Sequence, residues 1–380
     1  MPKKILIQKK NWMKLSRNWL RSVYYDTKNE LKDLRISLPP QLARAESMLG
    51  WPAKAVHALA ARSNFDGFVL PGSEQDPFGI SGVLEDNDFD VELPQAVTSC
   101  LVHSVSFLTT TAGDVASGEP EVLVLARSAR HGTALVDRRR RVLRSALAIT
   151  DVNEAGEPSE LVMYLPDSVV TVSKSVAGVW RVDRRPNVTG RVLVTPLIYR
   201  PELDRPFGHS RISRAVMQLT DAAVRTFVRA EVGGEFYASP QRWALGADED
   251  AFGGDEKRWR AVMSRMLAIS RDEDGNLPEL GQFPQMTMQP HSDQLRMIAG
   301  LFSGETGLPL SSLGIVHDNP ASAEAIFAEK EDLVIETGAA NRVWGSALRN
   351  VAVNTVMVRD GLDSVPDELR GLQSKWRNPA

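Results

Sequence analysis

Apolar positions near the start of the chain recur at helical spacing. Trp12, Leu15, Trp19, Leu20 and Val23 form one stripe, which predicts an amphipathic helix over 11–25. Pro39-Pro40 breaks the chain, and Val56 and Leu59 lie in a second amphipathic segment over 42–63. The pattern then shortens. β-rich runs at 121–126, 143–150, 161–165, 169–173, 179–183 and 191–199 are separated by turn signals such as Asn153-Glu-Ala-Gly156 and Val176-Ala-Gly178. With a helix expected from Pro94 to Leu108, this region reads as α+β.

Helical spacing returns after Arg205-Pro-Phe-Gly-His-Ser210. Ile212, Val216, Leu219, Ala223, Phe227 and Ala230 mark one face of a helix of about six turns. Arg214, Gln218, Asp221, Arg225 and Arg229 take the opposite face, and Gly233-Gly234 is expected to end the helix. Residues 236–245 are strand-like, 255–268 predict a short helix, Asp274-Gly275 a turn before 277–288, and 292–306 another helix through Leu295, Ile298, Ala299 and Phe302. Leu308 to Val316 is apolar but interrupted by Pro309, Ser311, Ser312 and Gly314, so it has neither period. Asn319 is a good N-cap and Pro320 a good first helical residue for a helix running to about Arg359. Unbroken, that helix is roughly 60 Å long, with Gly338 and Gly345 as bend points. A loop held by such a support is built to project.

Composition adds constraints. With 380 residues, 43% apolar and 24% charged, the chain is globular and long enough for about two to three domains. The formal net charge of −3 gives no basic surplus, so any contact with nucleic acid is local or weak. Cys100 is the single cysteine, which excludes an intrachain disulfide and a thiolate metal cluster and fits a reducing compartment. No apolar run is long enough for a membrane span or a signal-peptide core, so a cytosolic protein without a membrane partner is expected.

The search for chemistry yields little. Histidines 57, 103, 131, 209, 291 and 317 show no i,i+3 or i,i+4 pair, and there is no phosphate loop, dinucleotide fingerprint or nucleophile elbow. No catalytic residue, metal or cofactor is expected. Arg271-Asp-Glu-Asp-Gly-Asn276 reads as a solvated turn rather than a calcium loop, since the distal glutamate is missing. Asp86, Asp88 and Asp90 read as an exposed acidic loop. Arg138-Arg-Arg-Arg141 reads first as a charged turn between strands, and second as a phosphate or partner contact. Glu324, Glu329, Glu331, Asp332 and Glu336 crowd the start of the last helix, a face that would repel phosphate.

Four blocks resemble the portal proteins of tailed bacteriophages, in particular siphophages of actinobacteria. They are Tyr24-Tyr25-Asp-Thr with Gly50-Trp-Pro-Ala-Lys-Ala-Val-His-Ala-Leu59 and Asn64-Phe-Asp-Gly-Phe68; Tyr199 to Ala215, leading into the helix from Val216; the loop from Gly307 through Asn319-Pro-Ala-Ser-Ala-Glu-Ala-Ile326; and Trp376-Arg-Asn-Pro379. The resemblance implies a homo-oligomeric ring, usually a dodecamer, at one capsid vertex, through which double-stranded DNA is packaged and ejected. It implies no enzymatic activity, and contacts with the terminase large subunit, the head-to-tail adaptor, and the major capsid and scaffolding proteins. It also implies a wing at 1–205, a stem helix at 206–235, a clip at 236–290, a second stem helix at 291–309, a tunnel loop at 310–319 and a long helix at 320–360. Residues 361–380 would start a crown that is truncated here. On that map the loop residues Leu313, Gly314, Ile315, Val316, His317, Asp318 and Asn319 face DNA, and Glu324, Glu329 and Glu331 give the long helix an acidic face. Arg225 and Arg229 line the stem, while Tyr237, Gln241, Arg242, Trp243, Gln282 and Phe283 offer the clip's contact surface. The alternatives are a metal-dependent nucleic-acid-processing enzyme whose acids converge from a distance, or another ring-forming virion connector.

Overall fold

The computed structural model describes residues 17–31, 48–72, 76–175, 178–237, 242–245, 279–282, 287–315 and 323–380. The chain divides into two units. Residues 1–30, 50–218 and 302–380 make one, and 31–49 with 219–301 the other. The expected stem and clip boundaries at 206, 236 and 290 therefore do not coincide with the division, because the helices that begin and end the second unit run across it.

The first unit opens with helix α1 (17–25), within the predicted 11–25 stripe. Helix α2 (Trp51–Ala60) starts later than the predicted 42–63 segment. Residues 48–50 are not helical, and Pro52 fits the first turn, where its missing N–H costs nothing. Its stripe of Trp51, Ala55, Val56 and Leu59 is buried. Strand β1 (Phe65–Val69) follows, then helices α3 (Ile80–Asp86) and α4 (Phe89–His103). Between them Asp86, Asp88 and Asp90 are exposed as expected, but Asn87 is buried and ties α3 to a strand. Its amide nitrogen donates to Val83 O and Val122 O, both at 2.8 Å, and its oxygen accepts from Val124 N at 2.8 Å.

Helix α4 ends at His103, five residues earlier than predicted, and strand β2 (Val105–Ala112) begins at once. β2 shows no alternation for a sequence reading to use, because its first six residues are buried on both faces. Two of its polar members find partners, Ser106 Oγ donating to Ala96 O at 2.7 Å and Thr109 Oγ1 to Leu125 O at 3.2 Å, while the Thr110 hydroxyl is buried without one among the described residues. β2 lies between β3 (Val122–Ser128) and β9 (Val194–Ile198) in an antiparallel three-stranded sheet. The intervening strands β4 (Gly132–Asp137), β5 (Val142–Val152), β6 (Pro158–Tyr164), β7 (Ser168–Lys174) and β8 (Trp180–Pro186) form an antiparallel five-stranded meander in sequence order. Val105, Phe107, Ala134, Ala146, Ala148, Val162, Tyr164 and Val194 close a core between the two sheets. Arg138–Arg141 is the β4–β5 turn, with Asp137 Oδ1 accepting from Arg139 N (2.9 Å) and Arg140 N (3.1 Å).

Helix α5 (Arg214–Tyr237) leads into the second unit and passes through Gly233-Gly234 without ending. Its buried face also differs from the predicted one. Ile212, just before it, and Val216 and Ala223 are buried as expected, but Thr220, Val224, Thr226 and Val228 complete the set, while Phe227 is exposed. Thr226 Oγ1 donates to Ala222 O at 3.0 Å, so a buried hydroxyl is satisfied within its own helix and the apolar stripe can shift. The unit also holds the antiparallel pair β10 (Arg242–Leu245) and β11 (Glu279–Gln282). Helix α6 (Gln289–Thr306) returns the chain to the first unit. The helix predicted at 255–268 and the acidic turn at 271–276 lie outside the described residues.

Helix α7 (Ala323–Arg359) is one element of 37 residues, about 55 Å long, and runs through both Gly338 and Gly345. Gly345 serves close approach instead of bending: a Cβ there would meet Ser374 Oγ at 2.2 Å and Trp376 Nε1 at 3.1 Å. Those residues belong to strand β12 (Gln373–Trp376), which pairs antiparallel with β1, Phe65 opposite Trp376. The segment expected to begin a crown thus includes a strand of the first unit, and its Trp376 ring lies 5.4 Å from Phe65 and 6.4 Å from the fully buried Trp344.

Candidate functional site: an arginine node beside the loop before α7

The block from Tyr199 to Arg211 is a loop closed at its neck. Tyr199 O accepts from His209 N at 2.9 Å, and Gly208 has φ of +65° with its Cα so close that a Cβ would sit 2.1 Å from that carbonyl. Only glycine meets both demands. Ser210 Oγ donates to Val102 O at 2.6 Å and accepts from Ile212 N at 3.0 Å, and Arg211 N donates to Leu101 O at 2.8 Å. The end of α4 therefore fixes the backbone that carries Arg211.

The Arg211 side chain is 3% exposed and uses its whole fork. Nε donates to Ala55 O in α2 at 2.6 Å, Nη2 to Thr306 O at the last residue of α6 at 2.7 Å, and Nη1 to both the Tyr199 hydroxyl at 3.0 Å and Glu336 Oε2 at 2.6 Å. Tyr199 donates its hydroxyl to the other Glu336 oxygen. Burial pushes the Tyr199 hydroxyl up to about 12, with Arg211 opposing and Glu336 adding to the shift, so it stays a donor at any physiological pH. A cation at the C-terminal carbonyl of α6 also complements the helix dipole. One guanidinium thus joins α2, the end of α6 and α7.

The loop after α6 is held at the same place. Ser303 Oγ donates to Leu308 O at 2.6 Å, Gly307 N donates to Ser303 O at 2.8 Å, and Ser213 Oγ donates to Glu305 Oε1 at 2.8 Å. A 3-10 turn over Leu310–Leu313 follows, and Leu308 and Leu313 are buried. Leu313 was expected to face outward. It packs inward because this turn brings it back against the first unit, and only Gly314, exposed, and Ile315, half-buried, remain of the described outward set. Val316, His317, Asp318 and Asn319 lie outside the described residues.

Glu324, Glu329 and Glu331 are exposed on α7. At 100° per residue Glu324 and Glu331 share a face and Glu329 does not, so they do not form one stripe. Glu336, grouped with them in sequence, is instead the Arg211 counter-ion. Arg225 and Arg229 are half-buried rather than on an open face. In the second unit Tyr237 ends α5, Arg242 and Trp243 lie in β10, and Gln282, exposed, ends β11 opposite Arg242; Gln241 and Phe283 fall outside the described residues. The node itself was missed as a unit. Its signal was an arginine set between Ser210 and Ile212 just ahead of a helix, where an apolar residue is the usual choice. Among the described residues, no group of three or more His, Cys, Asp or Glu converges, and no helix is long and apolar enough to cross a membrane.

Comparison with known proteins gives the class. The chain is 26% identical over 374 residues to the portal protein of Mycobacterium phage L5 and 26% identical over 366 residues to that of Mycobacterium phage D29, each alignment covering 94% of this chain and 74% of the relative. Both relatives are portal proteins. Residues 6–380 match the family described as Phage portal protein, SPP1 Gp6-like, and the chain belongs to that family. Among solved structures it is similar to a chain in the neck of a native GTA particle computed with C12 symmetry (TM-score 0.43, 14% identity, 86% of this chain and 80% of that one). A chain in the neck of an empty GTA particle computed with C6 symmetry is also similar (TM-score 0.44, 14% identity, 84% and 82%).

Proposed function

We propose that this chain forms the ring at one capsid vertex through which double-stranded DNA is packaged and later ejected, docking the terminase large subunit and then the head-to-tail adaptor. The observation that carries the reading is the family match over residues 6–380. On this reading the α+β region is the wing, α5 and α6 are the stem, β10 and β11 belong to the clip, and the loop before α7 lines the narrowest passage. Charge supports it. A conduit has to let DNA slide, and a formal net charge of −3, with no basic surplus, disfavours the many phosphate contacts that would hold DNA fast. Exposed Phe227, Met297 and Leu301 on α5 and α6 support it too, since identical neighbours in a closed ring cover such side chains by heterologous contacts. Major capsid and scaffolding proteins are the outer partners in this reading, and the number of subunits is twelve.

Electron microscopy of the purified chain tests it: rings with a channel wide enough for duplex DNA are expected, and a stable monomer that no capsid partner assembles would overturn it. Deleting 315–318 is expected to leave rings intact and to impair packaging or DNA retention.

A further inference from the structure

A groove of about 1390 Å³ is bounded by the β4–β5 turn, the 190–207 segment and α7. Its floor is apolar, including Leu143, Val194 and Phe207, and its lining carries Arg138, Arg140, Arg141 and Arg191 against Glu202 and Asp204. Glu202 is engaged by His209 at 2.9 Å. None of the four arginines has a carboxylate partner among the described residues. Arg191 is held only by neutral amides, Nε donating to Asn354 Oδ1 at 3.0 Å and Nη2 to Asn350 Oδ1 at 3.1 Å. Burial holds its pKa below the usual value for arginine. A half-buried cation without a counter-charge, next to three exposed ones, is the imprint of an anionic occupant.

The same chain carries a matching shape. Glu324 and every residue of α7 from 327 to 332 are exposed, round the full turn of the helix, so this end of α7 is a rod not packed into its own subunit. It bears Glu324, Glu329, Glu331 and Asp332, together with Phe327 at 74% and Ile335 at 60% exposure. Acidic residues around bare apolar side chains complement an apolar floor rimmed by arginine. Two turns of helix, ~11 Å long and ~10–12 Å across, occupy on the order of 1000 Å³, which fits the groove. Resting on the ring reading above, we infer that the groove of each subunit receives the acidic first turns of α7 from a second copy of the chain, so that α7 of one subunit is continued by the wing of the next.

Charge exchange in the purified full chain tests this, with ring fraction read by negative-stain microscopy and mass photometry. Arg138→Glu with Arg140→Glu is expected to lower the ring fraction about tenfold or more while leaving subunit thermal unfolding unchanged, because both side chains are exposed. Glu324→Arg, Glu329→Arg and Glu331→Arg together are expected to do the same, and combining the two sets to restore rings. As a direct readout, Val142→Cys with Phe327→Cys, both exposed in a chain whose single natural thiol is buried, is expected to give a disulfide-linked subunit ladder under mild oxidation. Full ring formation by Arg138→Glu/Arg140→Glu overturns the inference. So does rescue by reversing Asp86, Asp88 and Asp90 in place of the α7 acids, which would move the occupant to the α3–α4 corner. Absence of both the ladder and any rescue overturns it as well. Absence of rings from the unaltered chain strikes instead at the portal-ring reading itself.

Discussion

The two ends of α7 obey different rules. From 323 to 332 five of ten residues are charged (Glu324, Glu329, Lys330, Glu331, Asp332), and 327–332 are exposed on every side. From 333 to 359 only Glu336, Arg342, Arg349 and Arg359 are charged, and Leu333, Thr337, Trp344, Leu348, Ala352 and Val356 are buried. Backbone geometry is continuous across the change. One end of the helix is packed into its own subunit and the other is not, and Glu336, just past the change, is the acid that the fold pairs, with Arg211.

The largest test of that contrast is at the node. Arg211→Met should cost about 3–5 kcal/mol in urea unfolding, because it leaves the Ala55 and Thr306 carbonyls buried without this donor and the mostly buried Glu336 carboxylate without its counter-charge. Arg211→Met with Glu336→Met should cost less than the sum of the two single changes, and simple additivity would show that the pair does not act as a unit.

Acid comes next and should act on the buried side only. His103 hydrogen-bonds Ser22 Oγ at 3.0 Å under α1, and burial first, then Arg21 and Arg130, lowers its pKa to about 4. The unfolded value of about 6.5 is higher, so between those limits the unfolded chain binds more protons. The stability is therefore full above about pH 6.5, declines as pH falls through the window and levels off below about 4, by up to about 3 kcal/mol. His103→Gln should flatten the difference in melting temperature between pH 7 and pH 4.5. An unchanged slope would assign the acid sensitivity elsewhere.

Gly345→Ala probes the same packed end more gently. The added methyl must displace Ser374, at an expected cost of about 1–3 kcal/mol, read by denaturant titration and by loss of amide protection in β12. The smallest effect belongs to the exposed end. Glu324→Gln, Glu329→Gln and Glu331→Gln together should shift subunit stability by no more than about 0.5 kcal/mol, and a larger loss would mean that this end is packed after all.

Much of this layout was legible in the sequence. Six strands, α5, α6 and the long helix follow from apolar spacing, and the Arg138–Arg141 turn from its flanking residues. What escaped was polar burial. β2 hides Ser106, Thr109 and Thr110, so its residues resembled the end of a helix. Thr220 and Thr226 turned the buried face of α5 away from Phe227. β12 is short and polar and becomes a strand only through β1, a partner more than 300 residues away. Leu313 was misplaced because an interrupted apolar run does not say which of its leucines folds back. The node was hidden for the same reason: Ala55, Tyr199, Arg211, Thr306 and Glu336 are scattered along the chain, and their meeting is a tertiary fact.

The pairing of β1 with β12 also orders events in time. Phe65 waits for Trp376, so the sheet that closes the first unit cannot form until residues 373–376 have left the ribosome. All residues of the second unit, 31–49 and 219–301, are made earlier. A chain interrupted before 373 would leave Phe65 and Trp344 uncovered and Gly345 facing solvent.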